Sequence, residues 1–179
     1  CKMKHLSEIS LKDKRVLIRV DFNVPLDKNF NITDDSRIIA SLPTIKKITS
    51  NGGMAIIMSH LGRPKNGFEE KYSLKHTVQH LQKLLKTPVS FISDFLSKNA
   101  IKNISRMKRG DVLILENLRF YSGEKNGDEG FAKNLANLGD IYINDAFGTV
   151  HRKHASTAVI AKFFPKNKYF GLLLNNEIN

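Results

Sequence analysis

The chain has 179 residues, enough for one well-formed core or two small ones, and its 41% apolar and 26% charged content is that of an ordinary globular domain. No run approaches the about 18 apolar residues of a membrane span, the opening "CKMKHLSEIS" has no apolar signal core, and the single cysteine, Cys1, excludes an internal disulfide framework and a thiolate metal site. Twenty-nine Lys and Arg against 17 Asp and Glu leave a net charge of +12, which points to an anionic partner: nucleic acid, an acidic surface or a phosphorylated small molecule.

The cysteine usage predicts a reducing, cytoplasmic setting. The initial Cys1 leads us to expect a native start at Met3 or missing residues. "RVLIRV" (Arg15–Val20) reads as a strand, and "SRIIASLPTIKKITSNGG" as a helix with Thr33, Asp34 or Asp35 as cap and Gly52 or Gly53 as stop. "MAIIMS" is a second strand. "SLKHTVQHLQKLLK" is a helix with Leu74, Val78, Leu81 and Leu85 on one stripe and Ser73 as cap. Strands are then expected at "PVSFI", "DVLILEN", "DIYIND" and "YFGLLL", and helices at "LSKNAIKNISRM", "GDEGFAKNLANLG" and "STAVIAKFF". Lys46, Lys47, Lys83, Lys86 and Lys102 fall in the helical segments and read as solvent faces.

Strands and helices alternate, and the strands are continuous apolar runs, as in a parallel sheet covered on both faces. The predicted fold is a doubly wound α/β domain, a Rossmann-like three-layer sandwich with a mainly parallel central sheet. Residues 1–179 read as a single domain without repeats or linkers, although "GLLLNNEIN" does not look like a finished domain end.

In such sheets ligands bind outside the carboxyl ends of the strands. After "RVLIRV" come Asp21 and Asn23; after "MAIIM" comes "SHLGRP", with His60 and Arg63; after "DVLIL" come Glu116, Asn117 and Arg119; after "DIYI" come Asn144, Asp145, His151, Arg152 and His154. Each alone has a plain structural alternative: a turn cap for Asp21 and Asn23, a turn histidine for His60, an edge ion pair for Arg63 or Arg119. Their recurrence at one rim argues for a site. Arginine forks match phosphate and carboxylate oxygens, and an acid beside an amide suits a ligand hydroxyl, so the set predicts a pocket for a phosphorylated hydroxy-acid. There is no G-x-G-x-x-G, no P-loop, no G-x-S-x-G elbow and no metal-ligand spacing. "GEKNGDEG" is glycine-rich but reads as a poor phosphate cradle, because acids follow it in a first helical turn.

"RVLIRVDFNVPLD", "MSHLGRPK", "GDVLILENLRFYSGE" and "INDAFGTVHRKHAST" resemble, in order and spacing, successive stretches of the phosphoglycerate kinase family's N-terminal domain. The resemblance runs from about Leu11 to the end, where "GLLLNNEI" is similar to the family's "GFLMEKEL" near the interdomain junction. Asn176 stands where lysine is common, and "HRKHAS" departs from the usual "HRAHSS" at Lys153 and Ala155. The resemblance implies reversible phosphoryl transfer between 1,3-bisphosphoglycerate and ADP, giving 3-phosphoglycerate and ATP. It implies that Asp21 and Asn23 lie near the glycerate hydroxyl. Arg37 would hold the carboxylate and meet the phosphoryl group in transit, and His60, Arg63, Arg119 and Arg152 would grip the 3-phosphate. Arg37 rests on the resemblance alone. ATP or ADP with Mg2+ is expected on a C-terminal nucleotide-binding domain absent from this chain, which would be its partner in a monomer that binds neither nucleic acid nor membrane. The isolated chain is then expected to be inactive.

Competing readings are a non-catalytic phosphoglycerate-binding fragment or relative, a nucleic-acid-binding domain suggested by the charge, and a generic nucleotide-binding α/β domain. The dispersed arginines oppose the second, and the missing glycine motifs the third.

Overall fold

Seven strands line up in one sheet in the computed structural model, which describes residues 4–6, 9–146 and 153–172. They are β1 (Lys4–His5), β2 (Arg15–Arg19), β3 (Met54–Met58), β4 (Val89–Ile92), β5 (Val112–Leu115), β6 (Ile141–Asn144) and β7 (Lys168–Phe170). Their order is β1-β7-β6-β2-β3-β5-β4, and every pairing is parallel. The sequence pattern foresees all of them except β1.

Parallel strands need crossovers, and helices supply them. These are α1 (Ser36–Ser50), α2 (Val78–Leu85), α3 (Lys98–Ser105), the short α4 (Ser122–Lys125) and α5 (Glu129–Ala136). Alternate strand residues point to opposite faces and enter two separate cores. Val16, Ile18, Ile57, Ile114 and Ile143 pack with Ile38, Ile45 and Ile48 of α1 and Leu81 of α2. Leu17, Ile56, Leu113, Leu115 and Tyr142 pack with Ile104 of α3 and Phe131 and Leu135 of α5. This is the three-layer doubly wound α/β fold expected, and it explains why the inner strands β2, β3, β5 and β6 carry little polar alternation: both of their faces are covered.

Two helices depart from the pattern for local reasons. Residues 73–86 were expected to be one helix, but Leu74–Thr77 form a 3₁₀ turn before α2 begins. Ser73 caps that turn through the Lys75 amide. The buried Glu116 carboxylate accepts from the Leu74 amide at 2.9 Å and from the Ser73 hydroxyl at 2.7 Å, which ties the first turn to the end of β5. In the segment expected as a helix at "STAVIAKFF", Ala155–Val159 form a wider π turn, followed by a 3₁₀ turn over Ile160–Phe163. The Tyr142 hydroxyl donates to the Ser156 carbonyl at 2.8 Å, and the Ile160 amide reaches back to Ala155 instead. For α1 the residue before the helix is Asp35, whose side chain does not cap it; Asp34 accepts from the Ser36 amide. Asp35 instead meets His80 of α2 at 2.8 Å. Among the described residues no helix is long and apolar enough to cross a membrane.

Ile56 and Ile57 are neighbours on β3, an inner strand, and are fully buried in opposite cores. Ile56→Ala and Ile57→Ala should therefore each cost about 2–5 kcal/mol. Denaturant titration checks this; a small loss at either position would mean that one face of the sheet is not covered as described.

Candidate active site

β6, β2, β3 and β5 are consecutive in the sheet, so the four strand ends that carry the candidate polar residues are spatial neighbours. At their carboxyl edge lies a cleft of about 830 Å³. Asp21 and Asn23 enter it after β2, Arg37 from the first turn of α1, and His60, Gly62, Arg63, Pro64 and Lys65 after β3. Arg119 and Tyr121 follow β5, and Ser122, Lys125 and Asn126 come from α4 and its end. Among the described lining residues are five cations and one carboxylate, Asp21. Such a surplus in a concave site with low-dielectric walls attracts small anions.

The floor is fixed by hydrogen bonds. Asn23 Oδ1 accepts from the Gly62 amide at 2.8 Å, which leaves its amide NH2 to donate to a ligand. Asp21 Oδ1 accepts from the Asn23 amide at 3.1 Å and from Arg37 Nη1 at 3.3 Å. Arg37 Nη1 also donates to the Asn23 carbonyl at 2.9 Å. The Arg37 side chain is still about half exposed, at 52%. Arg119 Nη1 donates to the Gly62 carbonyl at 3.2 Å, so the 62–63 turn is held from both sides. Arg63 makes no hydrogen bond or ion pair with any described residue, so the edge ion pair weighed from the sequence is absent there among them. Tyr121 packs against Phe95 and Phe131, with ring centroids 4.9 Å and 5.4 Å away. Burial first, then the nearby Asp94 and Glu116 carboxylates, push its phenol above the usual value, so it stays a neutral donor.

Asp21, Asn23, Arg37, His60, Arg63 and Arg119 thus meet in one cleft, while Arg152 lies outside the described residues, as does His151. Other polar strand-end residues are structural. Glu116 anchors the Leu74 turn, and Asn117 Nδ2 donates to the Leu61 and Tyr72 carbonyls at 2.7 Å and 2.9 Å. Asn144 Oδ1 accepts from the Ala146 amide at 3.0 Å. Asp145 and His154 are buried and do not line the cleft. Lys65, Tyr121, Ser122, Lys125 and Asn126 were not singled out from the sequence. Lys125 and Asn126 belong to "GEKNGDEG", the glycine-rich segment read as a poor phosphate cradle, and Ser122 directly precedes it; the contribution here is side chains on the wall. A lysine two residues beyond Arg63 in the same turn was the available signal for Lys65.

The phosphoglycerate kinase family profile matches residues 6–179. The chain belongs to that family. It is 51% identical over 175 residues to the phosphoglycerate kinase of Campylobacter curvus, covering 97% of this chain and 44% of the relative. It is 49% identical to that of Chlorobaculum tepidum, with 98% and 44% covered. The solved phosphoglycerate kinase of Coxiella burnetii superposes with a TM-score of 0.88 at 38% identity, covering 99% of this chain and 43% of that one. The Pyrococcus horikoshii enzyme gives 0.87 at 34%, with 98% and 44% covered. The chain therefore spans a little under half the length of the relatives it matches.

Gly62 has φ +64°, and a Cβ there would overlap the Tyr72 ring. Gly62→Ala should lower stability by about 1–3 kcal/mol and displace His60 and Arg63 together. Thermal melts combined with titration of a phosphate anion check it; unaltered anion binding would show that the turn does not set the site.

Proposed function

We propose that this chain is the 3-phosphoglycerate-binding half of a phosphoglycerate kinase, and that its cleft holds 3-phosphoglycerate or 1,3-bisphosphoglycerate. The observation that carries the reading is the cleft itself: five cations at the carboxyl edge of a parallel sheet, one of them, Arg63, without an ion-pair partner among the described residues. A concave pocket of this kind suits a small polyanion better than the extended backbone of a nucleic acid. Family membership narrows the anion to a phosphoglycerate.

In this reading His60, Arg63 and Arg119, joined by Arg152, hold the 3-phosphate. Asp21 Oδ2 accepts from the glycerate hydroxyl, and the Asn23 amide donates to the ligand. Arg37, anchored by one nitrogen to Asp21 and the Asn23 carbonyl, directs its remaining donors at the carboxylate and the phosphoryl group. In the ATP-forming direction a terminal phosphate oxygen of ADP attacks the acyl phosphorus, and the bond to the carboxyl oxygen breaks. The leaving carboxylate is ionised at neutral pH, so no general base is needed. Catalysis consists of positioning anions and offsetting their repulsion. Among the described residues no group of acids, histidines or cysteines is placed to hold a metal, and the cationic cleft does not suit Mg2+, which takes oxygen ligands. We assign ATP or ADP with Mg2+ to the remaining length of the enzyme, with the two halves acting within one cytoplasmic monomer.

Calorimetric titration of the intact protein should show 3-phosphoglycerate binding far more tightly than glycerate. Equal affinities would sink the phosphate assignment of His60, Arg63 and Arg119.

The arginines should also fail differently in the complete enzyme. Arg63→Ala should raise KM for 3-phosphoglycerate most, because a phosphate clamp acts in ground and transition states alike. Arg37→Ala should lower kcat roughly a hundredfold with a smaller change in Kd, and Arg37→Lys should recover only part, having lost the planar fork. Steady-state kinetics with parallel binding measurements decide this; near wild-type kcat in Arg37→Ala would make Arg37 a helix residue without a role in transfer.

A further inference from the structure

Behind the cleft wall, β2 carries a guanidinium that the assignment above does not use. The side chains of Arg19 on β2 and Glu124 on α4 are both fully buried. Arg19 Nη1 donates to the Val20 carbonyl at 2.5 Å, and Nε donates to the Ser156 hydroxyl at 2.9 Å. That hydroxyl in turn donates to Glu124 Oε2 at 2.5 Å, while Glu124 Oε1 accepts from the Ser156 amide at 2.8 Å. Arg19 Nη2 and Glu124 Oε2 are 4.0 Å apart. Removing a guanidinium and a carboxylate from water is costly, and apolar residues of similar volume often serve a core as well or better. Stability alone therefore does not account for the pair.

A further contact of Arg19 leads to the cleft. Nη2 lies 2.9 Å from His60 Nδ1, and His60 is a lining residue only 6% exposed. A guanidinium has no acceptor and does not deprotonate. In this contact Arg19 donates and Nδ1 accepts, so the imidazole is neutral and carries its proton on Nε2. We propose that Arg19, balanced by Glu124, is a positioning residue that fixes His60 as the neutral Nε2–H tautomer, so that His60 meets an anion in the cleft as a directed N–H donor rather than as a cation. This rests on the reading of the cleft as a phosphoglycerate site. Protonation of Nδ1 would set N–H against N–H and add a cation to a crowded set. Arg19 stands behind the ring, with Glu124 beyond it, and Arg37, Arg63, Lys65, Arg119 and Lys125 share the cleft, where Asp21 is the one carboxylate among the described lining residues. The charge that attracts the ligand then comes from side chains that never titrate near neutrality, while His60 contributes direction.

The test is the protonation state of each ring nitrogen of His60 in the intact protein, read by long-range proton–nitrogen correlation on histidine-labelled material. We expect Nε2 protonated and Nδ1 bare throughout about pH 5.5 to 8. In the paired variant Arg19→Met with Glu124→Leu, which leaves no lone buried charge, His60 should populate both tautomers and titrate near the ordinary value of about 6.5. Affinity for 3-phosphoglycerate near pH 7.5 should then fall roughly three- to tenfold, the loss of one well-directed hydrogen bond. A doubly protonated or Nδ1–H ring at pH 6 in the wild-type protein would overturn the proposal, and so would an unchanged His60 in the variant. The wild-type spectrum decides even if the variant does not fold. The expected tautomer together with no affinity for 3-phosphoglycerate would support the tautomer assignment and remove the substrate reading instead.

Discussion

Every pairing in the sheet is parallel, and the rest of the molecule depends on that constraint. Parallel strands cannot be joined by tight hairpins, so each must be followed by a crossover that returns along a face. Both faces become covered, every strand delivers its last residue to the same edge, and the polar groups that must leave the core do so together. The edge becomes a site because β6, β2, β3 and β5 are adjacent, so groups far apart in sequence, such as Asp21, His60 and Arg119, open into one cleft.

A cleft so rich in cations repels itself, and the surrounding backbone holds it open. Asn23 grips the Gly62 amide and Arg119 the Gly62 carbonyl. Asn117 ties Leu61 to Tyr72, and Glu116 ties the end of β5 to the turn that precedes α2. Apart from Arg119, the residues that hold this turn and its surroundings are neutral amides or a fully engaged carboxylate. Arg63, among the cations of the cleft, is thereby spared structural duties. Pre-organisation of this kind places donors before the ligand arrives, so binding need not spend energy on collecting them.

Much of this was legible in the sequence. Uninterrupted apolar runs such as "MAIIM" and "VLIL" announced strands buried on both faces, and the polar clusters that followed them announced the edge. What could not be read were contacts that local periodicity does not encode. The 3₁₀ turn at Leu74–Thr77 exists because of Glu116, forty-odd residues away, and the π turn at Ala155–Val159 because of a tyrosine on β6. Arg19 was hidden inside "RVLIRV", read only as part of a strand, yet it is among the largest fully buried side chains of the described residues. Arg37 has no local signature at all, since an arginine in a first helical turn is unremarkable; only the family resemblance drew attention to it. Glu116 and Asn117 show the reverse error, polar residues at a strand end that serve the fold.

β2 and β3 sit at the middle of the sheet, bonded on both sides and dry on both faces. Their amides have no path to solvent short of large-scale opening, so in hydrogen exchange they belong with the slowest in the chain, governed by the global unfolding equilibrium. His60 lies two residues beyond β3, and Asp21 two beyond β2. The edge that bears the cleft is therefore suspended from the strands that open last.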